Sequence, residues 1–252
     1  MQYRKEFFNT VLRPVFRTSS VLCPSLHELS TFGPTSIDAG EILSRTFDFN
    51  NGEFVTNTYL SEFEALKEEL HSRQQGTKLA YPVVYGVAEA AALLVYLMVR
   101  VFNPDTVLET GVANGVSSYY ILNALNRNSK GTLYSVDVNP DVGGLLGEHD
   151  THRWELRIID EKKAGSEFEK LVDTLPNIDI FIHDSDHSYK AQMCEYKTAY
   201  RRIANGGILA SDDVDFSYAF LDFCSKIQIK PLFLVTSTKV FGLLRKNLSG
   251  KS

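Results

Sequence analysis

The chain has 252 residues, enough for one large domain or for one domain with an appendage. Its residues are 44% hydrophobic and 23% charged, which is typical of a folded globular protein and excludes an intrinsically disordered chain. The formal net charge is -5, so the basic excess that drives binding to nucleic acids is missing. We therefore expect no nucleic-acid partner.

The three cysteines, Cys23, Cys194 and Cys224, are odd in number and far apart, and they match no metal-binding or redox spacing. We expect them to be reduced thiols in a cytoplasmic protein. The first residues carry charge and are followed by no continuous apolar run with a cleavage site, so we expect no secretory signal.

Residues 1–80 contain turn-forming residues between short apolar patches, with one predicted helix at residues 59–70. We predict that they form an appendage without a sheet of its own, which contacts the substrate or another subunit. Residues 83–102 are almost wholly apolar, but Glu89 and Arg100 leave an uncharged run of only about ten residues between them, too short for a bilayer. We expect a buried helix and no membrane partner; a partner or dimer interface, and hence a homo-oligomer, stays open.

In the predicted domain at residues 81–252, short β-branched or aromatic runs alternate with helical patterns from residue 104 onward, which predicts repeated βαβ units. The fold class is α/β: a Rossmann-like, doubly wound, seven-stranded sheet, mostly parallel with a C-terminal antiparallel strand. The link between the last two strands is too short for a crossover helix, so they form a hairpin. The predicted strands are residues 106–109, 132–136, 155–159, 178–183, 207–210, 232–235 and 240–244, and the predicted helices are residues 115–126, 166–174, 189–204 and 216–226.

The loop after the first predicted strand joins a buried strand to a helix N-terminus through Gly111 and Gly115. In open α/β sheets, ligands bind at the carboxyl ends of the strands, and glycines allow the backbone to approach them closely. A dinucleotide fingerprint, G-x-G-x-x-G, would need glycines at the positions of Ala113 and Val116. The spacing therefore argues against NAD.

The charges near this loop favour a cationic nucleoside. Glu109 at the tip of the strand would repel a pyrophosphate and attract the ammonium and sulfonium groups of S-adenosylmethionine. Asp137 ends the second strand, where a carboxylate can accept hydrogen bonds from both ribose hydroxyls. Each feature alone is common turn chemistry, but together, in a βαβ context, they predict binding of S-adenosylmethionine.

Three aspartates follow two later strands: Asp184 comes after the fourth, and Asp212 and Asp213 come after the fifth. If the strands are neighbours, about 4.8 Å apart, these carboxylates converge at one edge of the sheet. Each like-charged pair would then cost about 3 to 4 kcal/mol, so the cluster would need protonation or a divalent cation. Oxygen ligands suit Mg²⁺; the alternative is that the aspartates cap the following helices.

His187 lies three residues beyond Asp184, close enough to act on a hydroxyl group held at the same edge. Imidazole titrates near neutral pH, which suits a general base. The alternative is a surface or helix-start histidine.

We expect His183 to be packed at the end of its strand. Phe216, Tyr218 and Phe220 could line the acceptor site or belong to the core.

These residues resemble the class I S-adenosylmethionine-dependent methyltransferases, and within them the metal-dependent O-methyltransferases. Residues 108–117 look like the family's first motif, residues 136–141 like its ribose-binding segment, and residues 206–213 like its later metal-bearing motif. The run DSDHSY at residues 184–189 is most similar to the bacterial branch that includes macrocin-type sugar O-methyltransferases and cephalosporin-hydroxylase-like proteins. The resemblance covers residues 81–245, and Ala113 departs from it because many methyltransferases have glycine there.

The resemblance implies Mg²⁺-assisted transfer of a methyl group from S-adenosylmethionine to a hydroxyl of a small-molecule acceptor of the sugar or natural-product type. Its alternatives are a metal-independent N- or O-methyltransferase and a non-catalytic protein that only binds S-adenosylmethionine. The implied cofactor-binding residues are Glu109, Gly111, Gly115 and Ser117 at the methionine end, Asp137 at the ribose and Asp160 near the adenine; the implied metal ligands are Asp184, Asp212 and Asp213, and the implied base is His187.

Overall fold

The computed structural model describes residues 23–47 and 52–247. In these residues, eight strands form one sheet in the order β1-β7-β8-β6-β5-β2-β3-β4. The strands are β1 (Thr35–Ser36), β2 (Thr106–Thr110), β3 (Thr132–Asp137), β4 (Trp154–Ile158), β5 (Ile178–His183), β6 (Ile203–Ser211), β7 (Leu232–Val235) and β8 (Val240–Arg245). The α-helices are α1 (Leu26–Phe32), α2 (Ala39–Phe47), α3 (Gly52–Gly76), α4 (Glu89–Phe102), α5 (Val116–Asn128), α6 (Ala164–Thr174), α7 (Tyr189–Arg202) and α8 (Ala219–Ile227).

The sheet is covered by helices on both faces. All five residues of β2 are buried, as are most residues of β5, because parallel strands inside an α/β fold face two apolar layers. Side chains of α2, α3, α4 and α5 form the core on one face, and those of α1, α6, α7 and α8 form the core on the other. The predicted Rossmann-like α/β fold is confirmed.

Strand β8 runs antiparallel to both of its neighbours, β6 and β7, and the other pairings are parallel. The predicted C-terminal hairpin is therefore confirmed. The sheet has one strand more than predicted, because Thr35 and Ser36 pair with Phe233 and Leu234 at its edge. A two-residue strand has no periodicity to detect; it is held by tertiary contacts such as the bond from the Phe233 amide to the Pro34 carbonyl, at 2.9 Å.

The described part of the N-terminal region is packed on the sheet. Helix α3 extends well beyond the predicted residues 59–70, and Phe63, Leu66 and Leu70 are buried against α4 and its neighbours. The Tyr96 hydroxyl of α4 donates to Glu62 of α3 at 2.6 Å. This region thus contributes core residues and the edge strand β1, and its proposed contacts with substrate or another subunit remain predictions.

Helix α4 is the apolar segment that raised the question of a membrane span. It has 14 residues, and those from Leu94 to Val99 are completely or almost completely buried in the chain's own core. Among the described residues, no helix combines the length and the apolar character that a membrane span needs. The expected buried helix is confirmed for residues 89–102, whereas residues 83–88 precede the helix and Val83 and Tyr85 are exposed. A partner or dimer interface at this segment stays a prediction.

The strand order reverses at β2. From β2 the chain continues to β3 and β4 on one side, then returns to β5 and β6 on the other. Thr110 is level with Val136 and His183, and His183 is level with Ser211. The carboxyl ends of β2, β3, β5 and β6 therefore meet at one edge, the place where doubly wound sheets bind ligands.

The burial of α4 gives a stability prediction. Replacing the fully buried Leu94 (Leu94→Ala) removes core contacts and leaves a cavity, so the free energy of unfolding should fall by about 2 to 5 kcal/mol. The neighbouring Leu93 is only partly buried, and Leu93→Ala should cost clearly less. Urea unfolding of both variants measures the difference; equal losses would contradict the packing described for α4.

Candidate functional site

Glu109 lies near the end of β2 and is completely buried. The hydroxyl groups of Ser117, Ser118 and Ser135 donate to its carboxylate at 2.5, 2.6 and 2.9 Å. Burial raises the pKa of Glu109, and the three serine hydroxyls oppose this change. Glu109 and Ser117 thus bond to each other beneath the loop, and their contact with a cofactor stays a prediction.

The loop between β2 and α5 has the backbone shape that its glycines suggested. Gly111 and Gly115 have φ values of +82° and +90°, and a Cβ atom at Gly111 would lie 2.0 Å from the carbonyl oxygen of Asp184. Ala113 also has a positive φ, +46°, at the position where the sequence departs from the common motif. The amide of Gly143 donates to the Ala113 carbonyl at 2.8 Å, so the segment after β3 covers one side of the loop.

Asp137 ends β3 next to this loop. Its Oδ2 accepts from the Val112 amide at 2.8 Å, and its Oδ1 accepts from the Asn139 amide at 3.0 Å. Asn139 also donates to the hydroxyl of Tyr81 at 2.7 Å. The backbone of Tyr81 is held in turn by both amide atoms of Asn114, at 2.9 and 3.0 Å.

Tyr81 was missed in the sequence because nothing near it marks a site; only the folded chain places it against Asn114 and Asn139. Asp160, in contrast, lies at the expected edge, immediately beyond β4. It is exposed, and its carboxylate accepts from the Lys162 amide at 3.0 Å. The structure therefore shows Asp160 as the cap of a short turn, and its contact with an adenine stays a prediction.

Asp184, Asp212 and Asp213 converge at the carboxyl ends of β5 and β6, as the sequence predicted. Asp212 is 1% exposed, and its amide donates to the His183 carbonyl at 2.9 Å. Asp213 takes a positive φ of +49°, which turns the chain directly after β6. Burial raises the pKa values of Asp184 and Asp213, and the neighbouring charge of Asp212 raises them further. The pKa of Asp184 lies well above its usual range, and that of Asp213 is raised to about 7.

Lys239 supplies positive charge to this cluster. Its Nζ lies 2.7 Å from Asp212 Oδ2 and 3.5 Å from Asp213 Oδ2. Lys239 directly precedes β8, and because β8 runs antiparallel to β6, the start of β8 lies beside the end of β6. The hairpin was predicted, but the position of Lys239 beside Asp212 depends on the pairing of β8 with β6 and was missed.

The donor set does not fit the Mg²⁺ expected from the sequence. Among the described residues, no group of three histidine, cysteine, aspartate or glutamate side chains is arranged to hold a metal ion. An ammonium group already lies at hydrogen-bonding distance from Asp212, the most deeply buried of the three aspartates. The structure thus brings the three aspartates together, with Lys239 beside Asp212 and Asp213, and their role as metal ligands stays a prediction.

His187 lies within this cluster. Its Nε2 is 3.5 Å from Asp213 Oδ2 and 3.7 Å from Asp184 Oδ1, and its Nδ1 is buried with no hydrogen-bond partner among the described residues. Burial lowers the pKa of His187 to about 4, assisted by the neighbouring His183. The imidazole is therefore neutral at pH 7 and can accept a proton.

A further carboxylate, that of the partly buried Glu195 on α7, was also missed. It accepts from Thr110 at 2.5 Å and from Ser185 at 2.7 Å, and it lies 2.7 Å from His183 Nδ1. The contact with His183 lowers the pKa of Glu195 despite its burial. Glu195 lies between Gln192 and Tyr196 on the buried face of a helix. An acidic residue in such a position needs a partner for its charge, and this pattern could have identified it.

The three aromatic residues after Asp213 have different environments. Phe220 is completely buried in the core, and the Tyr218 hydroxyl donates to Glu28 at 2.8 Å. Phe216 is 45% exposed, and its ring centre lies 6.0 Å from that of His187. Of the three, Phe216 is therefore the one placed beside the site, and the buried His183 has the packed position expected of it.

Comparison with known proteins agrees with this geometry. Residues 108–214 match the family model described as "Methyltransferase domain". The match begins in β2 and ends just after Asp213, so it contains the β2–α5 loop, Asp137 and the acidic cluster. No curated protein matches the chain.

Several solved structures share the fold at low sequence identity. An O-methyltransferase from Bacillus cereus in complex with S-adenosylhomocysteine is 15% identical, with a TM-score of 0.55 over 77% of this chain and 96% of that one. The O-methyltransferase of tomaymycin synthesis from Streptomyces achromogenes, with S-adenosylmethionine, is 16% identical, with a TM-score of 0.55 over 73% and 90%. A methyltransferase from Podospora anserina, with S-adenosylhomocysteine, is 14% identical, with a TM-score of 0.56 over 79% and 97%. The predicted Rossmann-like fold is confirmed, and the predicted methyltransferase domain is supported by the match over residues 108–214.

The close approach of Gly111 to Asp184 can be tested by substitution. Gly111→Ala would place a methyl group against backbone and strain a positive φ, so we expect a loss of about 2 to 4 kcal/mol in the free energy of unfolding. The matched control is Gly144→Ala, where a Cβ would meet nothing within 4 Å, and its effect should be below about 1 kcal/mol. Denaturant unfolding of the two variants checks this; a neutral Gly111→Ala would contradict the loop geometry.

Proposed function

We propose that the protein transfers the methyl group of S-adenosylmethionine to a hydroxyl group of a small molecule, with His187 as the general base. One observation carries the proposal: the β2–α5 loop and the neutral, half-enclosed His187 lie at the same edge of the sheet, where the strand order reverses. The methyltransferase-domain match over residues 108–214 supports the choice of cofactor.

The cofactor is proposed to lie along the carboxyl ends of β2, β3 and β4. Gly111 and Gly115 keep side chains out of the loop, so the backbone can approach the methionine part closely. Asp137 is the proposed partner of the ribose hydroxyls, and Asp160 lies beyond the next strand, on the side proposed for the adenine. The carboxylates at this edge give it a negative potential that favours a sulfonium ion.

His187 is proposed to take the proton from the acceptor hydroxyl. The oxygen then attacks the methyl carbon, the new O–C bond forms as the S–C bond breaks, and the electron pair of that bond stays on sulfur to give S-adenosylhomocysteine. Because the displacement needs alignment more than further activation, holding the two reactants in line supplies much of the rate. An imidazole that is neutral at pH 7 can take up this proton.

The exposed side chain of Phe216 is an argument for a small acceptor with a flat or apolar face. Its ring is beside His187, so an acceptor that packs on Phe216 would bring a hydroxyl group near the imidazole. Sugars and aromatic natural products both have such faces, and the sugar or natural-product class expected from the sequence is kept as part of the proposal.

The proposed cofactor contact predicts an effect on affinity. Asp137→Ala removes the proposed ribose partner and a bond to the Val112 amide, so the Kd for S-adenosylmethionine should rise at least tenfold. Asp141→Ala removes an exposed carboxylate from the same loop and should leave the Kd within about twofold. Titration calorimetry measures both; an unchanged affinity in Asp137→Ala would remove Asp137 from the proposed site.

The proposed base predicts a pH profile. Since His187 has a pKa of about 4, it stays neutral as the pH falls through 6.5, and kcat should decline only as the pH approaches 4. His187→Ala should lower kcat about 100-fold or more without changing the Kd for S-adenosylmethionine, whereas the exposed His149→Ala should be neutral. Turnover is measured with a panel of hydroxyl acceptors, and full turnover of His187→Ala at pH 7 would refute the assignment.

A further inference from the structure

We propose that the Lys239 ammonium group is the resident cation of the acidic cluster formed by Asp184, Asp212 and Asp213, in the place where the sequence pattern suggested a divalent metal. The inference rests on the proposed function in one respect only, the acceptor oxygen that this cation would serve. That Lys239 occupies the place of a divalent metal ion can be tested without any methyl transfer.

The hairpin between β7 and β8 holds Lys239 in a fixed backbone position. The Thr236 amide donates to the Lys239 carbonyl at 2.9 Å, and the Lys239 amide is 2.9 Å from the Thr236 hydroxyl oxygen. The next residue, Val240, is fully buried at the start of β8, and its carbonyl accepts from the Val214 amide at 3.0 Å. The backbone next to Lys239 is therefore bonded to the segment that follows Asp213, and the lysine side chain extends from there to the cluster.

The ion pair is buried. The side chain of Lys239 is 17% exposed and that of Asp212 is 1% exposed, at an Nζ to Oδ2 distance of 2.7 Å. A buried carboxylate that loses its charge partner is strongly destabilising, so this contact differs from a solvent-exposed pair that forms and breaks freely. The other oxygen, Asp212 Oδ1, is buried with no hydrogen-bond partner among the described residues, so Lys239 is the main support of this carboxylate's charge.

Lys239 and a divalent ion would compete for the same oxygens. Asp212 Oδ2 and Asp213 Oδ2, two oxygens that a metal ion shared by these residues could use, both lie within 3.5 Å of the lysine nitrogen. Two cations at that separation in a buried site repel each other strongly. The ammonium group therefore excludes the metal, and it leaves a positive charge close to His187, where the acceptor oxygen would become negative as it loses its proton.

The test uses Mn²⁺ as the probe and the full-length chain. The wild type should show no saturable Mn²⁺ binding in electron paramagnetic resonance titrations up to millimolar concentration. Lys239→Met removes the ammonium and leaves a buried carboxylate in need of a cation, so it should gain a Mn²⁺ site at least tenfold tighter than any in the wild type. The double variant Lys239→Met with Asp212→Asn should lose this site again.

Lys246→Met is the matched control, because Lys246 is also partly buried but its Nζ donates to the carbonyls of Tyr200 and Ile203, away from the cluster. It should gain no metal site. Lys239→Arg keeps the charge and should exclude Mn²⁺ as the wild type does, which provides a test even where Lys239→Met fails to fold. Saturable Mn²⁺ binding by the wild type that Asp212→Asn abolishes would overturn the proposal.

Methyl-transfer assays separate this inference from the proposed function. With a working acceptor, wild-type turnover should be unchanged by EDTA, whereas Lys239→Met should lose at least 100-fold in kcat and recover part of it with added Mg²⁺. If no acceptor is methylated and Lys239→Met still gains the Mn²⁺ site, the charge assignment stands and the proposed function fails. Wild-type turnover that stops in EDTA and returns with Mg²⁺ would overturn the inference and leave the methyl transfer in place.

Discussion

The structure depends on how negative charge is accommodated at one buried edge of the sheet. Carboxyl groups that leave water need compensation, and this edge provides it in several ways. Glu109 is bonded by three serine hydroxyls, Glu195 faces His183, and Asp212 faces the ammonium group of Lys239. None of these partners adjoins its carboxylate in the sequence, so the edge is assembled only when the strands align.

The same compensation shapes the proposed chemistry. Burial keeps His187 neutral beside two aspartates, so the imidazole can accept a proton at this edge. Glu195, by fixing His183 and Ser185, holds the chain segment that carries Asp184 and His187. Gly111, in the β2–α5 loop, lies so close to the Asp184 backbone that no side chain fits between them. Binding and proton transfer are thus supported by neighbouring parts of one edge.

The sequence predicted most of the fold because its signals are local and repeated. The seven longer strands and the C-terminal hairpin were found from apolar runs and link lengths, and all of them are present. The two-residue strand Thr35–Ser36 was not found, since its pairing with β7 is a tertiary contact with no pattern of its own. Helix α3 was predicted too short because residues 71–76, beyond the predicted end, are mostly exposed and carry little apolar periodicity.

The candidate site divides in a similar way. The residue types at the strand ends determined by themselves that acidic groups, a glycine-bearing loop and His187 would share one edge, because parallel strands must end together. Only the tertiary structure decided how each charge is balanced. It placed serine hydroxyls on Glu109, made Asp160 the cap of a short turn and brought Lys239 to Asp212. Charge balance in a buried site is set by distances of a few ångströms between distant segments, and a linear pattern of residues does not contain those distances.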